Sequence, residues 1–168
     1  RLRGMAHVEV INGDILRLDI PALAAAQGNP WVVIGNLPYH ISSPVLMQLI
    51  GARAAVTRAV LMFQKELAQR LCATPGGRDY GRITVRLAYC ATIRPLMTVP
   101  AGKFHPRPKV DSEVLEIRFH AQPPVAAADE AVFAATVQAA FAQRRKTLRN
   151  ALRAVGGAWS AGHVEEAL

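Results

Sequence analysis

Residues 31–46, WVVIGNLPYHISSPVL, decide the fold. Trp31 to Ile34 is a short, apolar, β-branched run with no polar alternation, the pattern of a strand buried on both faces. Gly35-Asn36 stops it. Ser42-Ser43-Pro44 then reads as a helix start, with a hydroxyl cap and Pro in the first turn. Val45, Leu46, Leu49 and Ile50 follow on one helical face. A buried strand, a tight polar loop and an amphipathic helix make one unit of an α/β sheet, with the loop at the carboxyl end of the strand.

The same pattern extends to both sides. Upstream, Val8 to Ile11 predicts a buried parallel strand ending at Gly13-Asp14, and Leu16 to Gln27 is partly helical, with Pro21 limiting its start. Downstream, Ala59 to Phe63 predicts a third buried strand. Lys65 to Ala73 continues as an amphipathic helix, broken at Pro75-Gly76-Gly77. Ile83, Val85, Leu87 and Tyr89 alternate, as do Leu115, Ile117 and Phe119, so both segments predict strands. Strands separated by helices indicate a doubly wound α/β sheet. Ala121 to Ala128 is a Pro/Ala linker, and Phe133, Val137, Phe141, Leu148 and Leu152 beyond it keep helical spacing. The expected organisation is a sheet domain over residues 1–121 and a small helical domain over 122–168.

The chain has 168 residues, 51% of them hydrophobic, which supports a packed core and excludes disorder. No apolar run approaches the roughly 20 residues that span a bilayer. Cys72 and Cys90 lack metal-type spacing and no His sits beside either, so they read as buried thiols of a reducing compartment, and no metal site is expected. The net charge of +8 and a pI near 10.3 point to a polyanionic partner. Arg144, Arg145, Lys146, Arg149 and Arg153 sharpen that point. They are five cations with no acid among them, and on a helix Lys146, Arg149 and Arg153 share one face. A solvated face usually mixes signs, so phosphate binding is the better reading. Arg107 and Lys109 extend the basic surface toward the loop.

Ligands of open α/β sheets bind outside the carboxyl ends of the strands, where Asp14 and Asn36 are both expected. The loop Asn36-Leu37-Pro38-Tyr39 suits one chemistry in particular. An adenine amine is a poor nucleophile because its lone pair is delocalised into the ring. A methyltransferase must hold that nitrogen in line and accept its hydrogens. The Asn36 side-chain oxygen is a neutral acceptor for one hydrogen, and the backbone carbonyl of Leu37 or Pro38 can take the other. Pro38 restricts the backbone and offers no competing N–H. Tyr39 supplies a face on which an extruded base can stack. The alternative is an ordinary turn after a strand.

Four longer segments match a known family. GNLPYHISSPVL (35–46), MFQKELAQRL (62–71), FHPRPKVDSEVL (104–115) and FAQRRKTLRNAL (141–152) resemble the ribosomal RNA adenine N6-dimethyltransferases, in order and at about their spacing. The resemblance implies a Rossmann-like catalytic domain that uses S-adenosylmethionine, followed by a helical RNA-binding domain. It implies dimethylation of adenosines in small-subunit ribosomal RNA, two adjacent ones in the 3′-terminal hairpin, by a cytoplasmic monomer that assists ribosome biogenesis. Asn36 would hold the target amine and also face the cofactor, with the backbone of Leu37 and Pro38 beside it. Tyr39 and Phe104 would be the two aromatic contacts of the flipped base. Asp14 would accept from the cofactor's adenine amine, and Ile15 would add an apolar or backbone contact. The family's glycine-rich turn for the methionine part of the cofactor, its ribose-binding acid and the end of its helical domain have no counterpart here, so the chain is expected to be a fragment that alone binds the cofactor weakly. The macrolide-resistance methyltransferases of large-subunit RNA are a neighbouring reading, and a non-catalytic role in ribosome assembly is another.

Overall fold

The computed structural model describes residue 5, residues 7–143 and residues 146–153. Its centre is a four-stranded sheet of β1 (Trp31–Asn36), β2 (Val56–Gln64), β3 (Ala91–Val99) and β4 (Ser112–Phe119), in the spatial order β1-β2-β4-β3. The expected Rossmann-like α/β class holds, with one difference. Only β1 and β2 run parallel; β4 lies antiparallel to both β2 and β3. The helices are α1 (Ile20–Gln27), α2 (Ser42–Gly51), α3 (Lys65–Leu71), α4 (Arg82–Cys90), α5 (Glu130–Ala140) and α6 (Leu148–Arg153).

The main core joins one face of the sheet (Ala59, Leu61, Phe63, Leu115, Ile117) to Leu46, Leu49 and Ile50 of α2, Leu71 of α3 and Leu87 of α4. These side chains are almost fully buried. Burying each of the large ones removes roughly 1.5–3 kcal/mol of apolar hydration cost. On the opposite face the strand register aligns Ile34, Val60, Glu116 and Arg94 in one row. There Ile34 is 79% exposed, and Val32 and Met97 are exposed too.

Glu116 is the buried carboxylate of that face, held by Arg58 at 3.4 Å, Arg94 at 3.1 Å and Arg118 at 3.1 Å. The Arg118 hydrogen bond, against the cost of desolvation, holds its carboxyl below the usual glutamate range.

Three sequence expectations are corrected here. Residues 8–12 form no strand, and Val10 and Ile11 are exposed. A β-prone run becomes a strand only where a neighbour completes its ladder, and β1 pairs on one side only, with β2. Residues 82–90 are the helix α4, not a strand: the buried positions are Thr84, Leu87 and Cys90, three apart, so the alternation of Ile83, Val85, Leu87 and Tyr89 is incidental. Thr84 Oγ1 accepts from the Gly81 N–H at 3.2 Å and donates to the Arg70 carbonyl at 2.7 Å, fixing the start of that helix. Finally, Cys90 is buried but Cys72 is exposed.

The edge strand β3 follows α4 directly, and its Pro95 and Arg94 hid it from pattern reading. Upstream, Pro21 does limit the first helix. Asp19 caps α1 by accepting from the Ala22 N–H at 3.0 Å, and Gly28 closes it in the left-handed conformation at φ 73°. Beyond β4, α5 packs back onto α4. Tyr89 and Phe133 stack at 4.4 Å between ring centroids, and Arg53 grips both carboxylate oxygens of Glu130.

Candidate active site

Asn36 is the last residue of β1, carried there by the parallel register that pairs it with Met62. A Cβ at Gly35 would lie 3.4 Å from the ends of the Leu37 and Leu61 side chains, so the loop starts close against the sheet. The loop then closes into a 3-10 turn over Tyr39–Ile41. Ser42 does not cap α2 as its position suggested. The N-cap is Ile41, without a side-chain bond, and Ser42 Oγ instead donates to the Pro38 carbonyl at 3.2 Å. The Ile41 N–H donates to the same oxygen at 3.1 Å. The Pro38 carbonyl therefore already carries two donors inside the loop.

The facing wall comes from the segment between β3 and β4. A 3-10 turn over Ala101–Lys103 leads into Phe104, and the His105–Pro106 peptide is cis. Asn36, Leu37, Pro38, Tyr39, Phe104, Pro106 and Pro108 together line an open cleft of about 290 Å³. The five residues expected to do the chemistry thus meet in one place. Asn36 is exposed within it, and Tyr39 and Phe104 are half-buried. The Tyr39 hydroxyl lies 3.0 Å from Ser112 Oγ at the start of β4, and Ser112 is fully buried.

Sequence pattern alone did not single out Ser112 or Asp111, and it gave Ser42 a capping task in place of its bond to Pro38. The only available signal for the first two was their place at the end of the FHPRPKVDS run.

Asp14 is placed differently from expectation. It caps a 3-10 turn over Ile15–Arg17 by accepting from the Leu16 N–H at 3.0 Å, and it is not among the residues lining the cleft. Its other oxygen lies 3.7 Å from the exposed Arg17 side chain. This turn is nonetheless tied to the loop's own helix. Gln48 of α2 donates to the Leu18 carbonyl at 2.8 Å, and Ile15 packs half-buried on the core. An exposed carboxylate can accept from an adenine amine and an apolar side chain can pack on its ring, so Asp14 and Ile15 fit that part of S-adenosylmethionine.

Arg107 and Lys109 are exposed, each next in sequence to a proline that lines the cleft. Lys146, Arg149 and Arg153 are exposed at or on α6, which packs on α5. Arg144 and Arg145 lie outside the described residues. Among the described residues no cluster of His, Cys, Asp and Glu could hold a metal, and no helix is long and apolar enough to cross a membrane.

A family model described as ribosomal RNA adenine dimethylase matches residues 1–162. The ribosomal RNA small subunit methyltransferase A of Desulforapulum autotrophicum is 49% identical over 146 residues, 87% of this chain and 51% of that protein. Its counterpart from Geobacter metallireducens is 44% identical over 167 residues, 99% of this chain and 61% of that protein. The chain therefore spans about half the length of the curated relatives it matches. Among solved structures, a dimethyladenosine transferase from Plasmodium falciparum superposes with a TM-score of 0.66 at 30% identity, over 86% of this chain and 50% of that one. The 23S rRNA methyltransferase ErmE superposes at 0.71 and 26% identity, over 99% and 64%.

Proposed function

The chain belongs to the ribosomal RNA adenine dimethylase family, and from that premise we propose that it carries the methyl-accepting half of an S-adenosylmethionine-dependent adenosine N6-dimethyltransferase. The substrate is small-subunit ribosomal RNA, as the names of its curated relatives suggest, and the target is a pair of adjacent adenosines in the 3′-terminal hairpin. The enzyme acts as a cytoplasmic monomer during assembly of the small subunit. One observation carries the reading: an exposed Asn36 amide at the end of a strand, in a cleft walled by Tyr39 and Phe104.

A target adenine leaves its stack at a cost of a few kcal/mol. Stacking on Tyr39 and Phe104, at roughly 1–3 kcal/mol per base, offsets that cost. Asn36 Oδ1 and the Leu37 carbonyl accept the two amine hydrogens, which turns the nitrogen lone pair out of the ring plane and holds it in line. S-adenosylmethionine, when bound, supplies a methyl group on a sulfonium. Each transfer would break the S–CH₃ bond to leave a neutral thioether, form N–CH₃ in place of one N–H and release that proton to water, and two transfers would give the dimethylated base. Asp14 and Ile15 would hold the cofactor's adenine, and Asn36 would also face the cofactor. Arg107 and Lys109, with Arg144, Arg145, Lys146, Arg149 and Arg153, neutralise RNA phosphates. The helical segment from residue 122 belongs to a separate RNA-binding domain.

The test uses the full-length protein with Asn36→Ala. Methyl transfer to small-subunit RNA is expected to fall at least about a hundredfold, by analogy with removal of one preorganised catalytic hydrogen-bond partner, while RNA affinity stays unchanged. Undiminished transfer would show that Asn36 does not hold the amine. Transfer to large-subunit RNA instead would favour the macrolide-resistance class.

A further inference from the structure

We propose that Asp111 and Ser112 are positioning residues that set the gap between Tyr39 and Phe104, and so the thickness of the planar base that the cleft admits. The inference rests on the adenine-methylation reading of the cleft and assigns a task that none of the lining residues performs. Ser112 is fully buried, and its hydroxyl is 3.0 Å from that of Tyr39, 73 residues away in sequence. The Asp111 side chain accepts from the Ala101 N–H at 3.0 Å, which anchors the 3-10 turn leading into Phe104. The Asp111 carbonyl accepts from the Lys65 N–H at 3.0 Å, pinning the same dipeptide to the chain just beyond β2. Two successive residues thus tether both aromatic walls to the rigid end of the sheet.

The chemistry explains why the tethers matter. Tyr39 sits on an exposed loop, and a ring free to rotate would stack on a base only part of the time. A hydrogen bond from its hydroxyl to a buried strand residue selects one ring orientation before RNA arrives, which lowers the ordering cost on binding. Phe104 has no polar handle of its own, so its position is set through the backbone, by the carboxylate that holds Ala101. Neither Asp111 nor Ser112 lines the cleft. Both act through the walls rather than on the substrate.

The experiment compares steady-state methyl transfer by the full-length enzyme and its Ser112→Ala, Ser112→Thr, Tyr39→Phe, Asp111→Ala and Asp111→Asn variants. Loss of one hydrogen bond of ordinary strength predicts a fall of about fivefold in kcat for Ser112→Ala and for Asp111→Ala. The KM for RNA stays unchanged, because phosphate contacts dominate that affinity. Asp111→Asn keeps the acceptor oxygen and Ser112→Thr keeps the hydroxyl, so each restores most of the loss. Ser112→Ala and Tyr39→Phe act through one bond, so their combination costs no more than the worse single change.

Additive losses, or conservative variants as poor as the alanines, would overturn the proposal. So would wild-type kcat in Ser112→Ala alongside an inactive Asn36→Ala, which leaves the methylation reading standing. An inactive wild type refutes that reading instead. The tether is then judged by the ring NMR signals of Tyr39, which shift on Ser112→Ala if it exists and overturn the proposal if they do not.

Discussion

At the scale of single residues, the loop divides its polar work between atoms that look interchangeable in sequence. Pro38 and Leu37 both offer a carbonyl beside Asn36, but Ser42 and Ile41 already occupy the Pro38 oxygen. On the proposed reading the acceptor oxygen of Asn36 holds the amine and its amide nitrogen is dispensable. Asn36→Asp is therefore expected to keep measurable methyl transfer, at least about tenfold above Asn36→Leu, which retains the bulk and loses the acceptor. Equal loss in the two variants, measured as kcat on small-subunit RNA, would move the requirement from hydrogen-bond acceptance to shape. Asn36, Pro38 and Tyr39 were legible from sequence because their side chains or ring chemistry announce a role. Ser112 was not, since a serine has no periodicity and its partner lies 73 residues away, and Ser42 was read as a helix cap although its hydroxyl binds the Pro38 carbonyl.

At the scale of elements, the sheet carries an electrostatic dependence that its strand pattern conceals. Glu116 is flanked on β2, β3 and β4 by Arg58, Arg94 and Arg118. Its folded carboxyl titrates below the ordinary glutamate value of 4.5. A depressed carboxylate contributes stability that is present above the unfolded value and is lost as pH falls through the folded one. The urea midpoint of the wild type is thus expected to fall below about pH 4.5, more steeply than that of Glu116→Gln, in which no carboxylate titrates there. Parallel pH profiles would remove Glu116 from the account. Pattern reading located β1, β2, α2 and α3 because their apolar runs are continuous or strictly spaced. It failed on residues 82–90, where Thr84 and Cys90 occupy buried helical positions that a hydrophobic count passes over. It failed on β3 because Pro95 is tolerable only on an edge strand, and edge position is not written in the strand itself.

At the scale of the whole molecule, the basic residues expected to meet RNA fall in two regions: Arg107 and Lys109 in the segment that supplies Phe104, and Lys146, Arg149 and Arg153 at or on α6. If both contact RNA phosphates, removing charge from either weakens binding without touching chemistry. Charge reversal at Arg149 and Arg153 in the full-length protein is expected to lower RNA affinity and flatten its dependence on salt by about 1–2 in log-log slope, with kcat at saturating RNA preserved. An unchanged salt slope would place the RNA elsewhere. The α/β class, the helix after the loop and the basic character of the carboxyl-terminal segment follow from the sequence by itself, because binary pattern and charge are local properties. The placement of the cleft's second wall, the occupation of the Pro38 carbonyl by Ser42 and Ile41, the helical state of residues 82–90 and the non-strand state of residues 8–12 were decided only by tertiary structure. Each of these depends on which backbone group finds its partner across the fold, and hydrogen bonds between segments tens of residues apart leave no periodic trace in either segment.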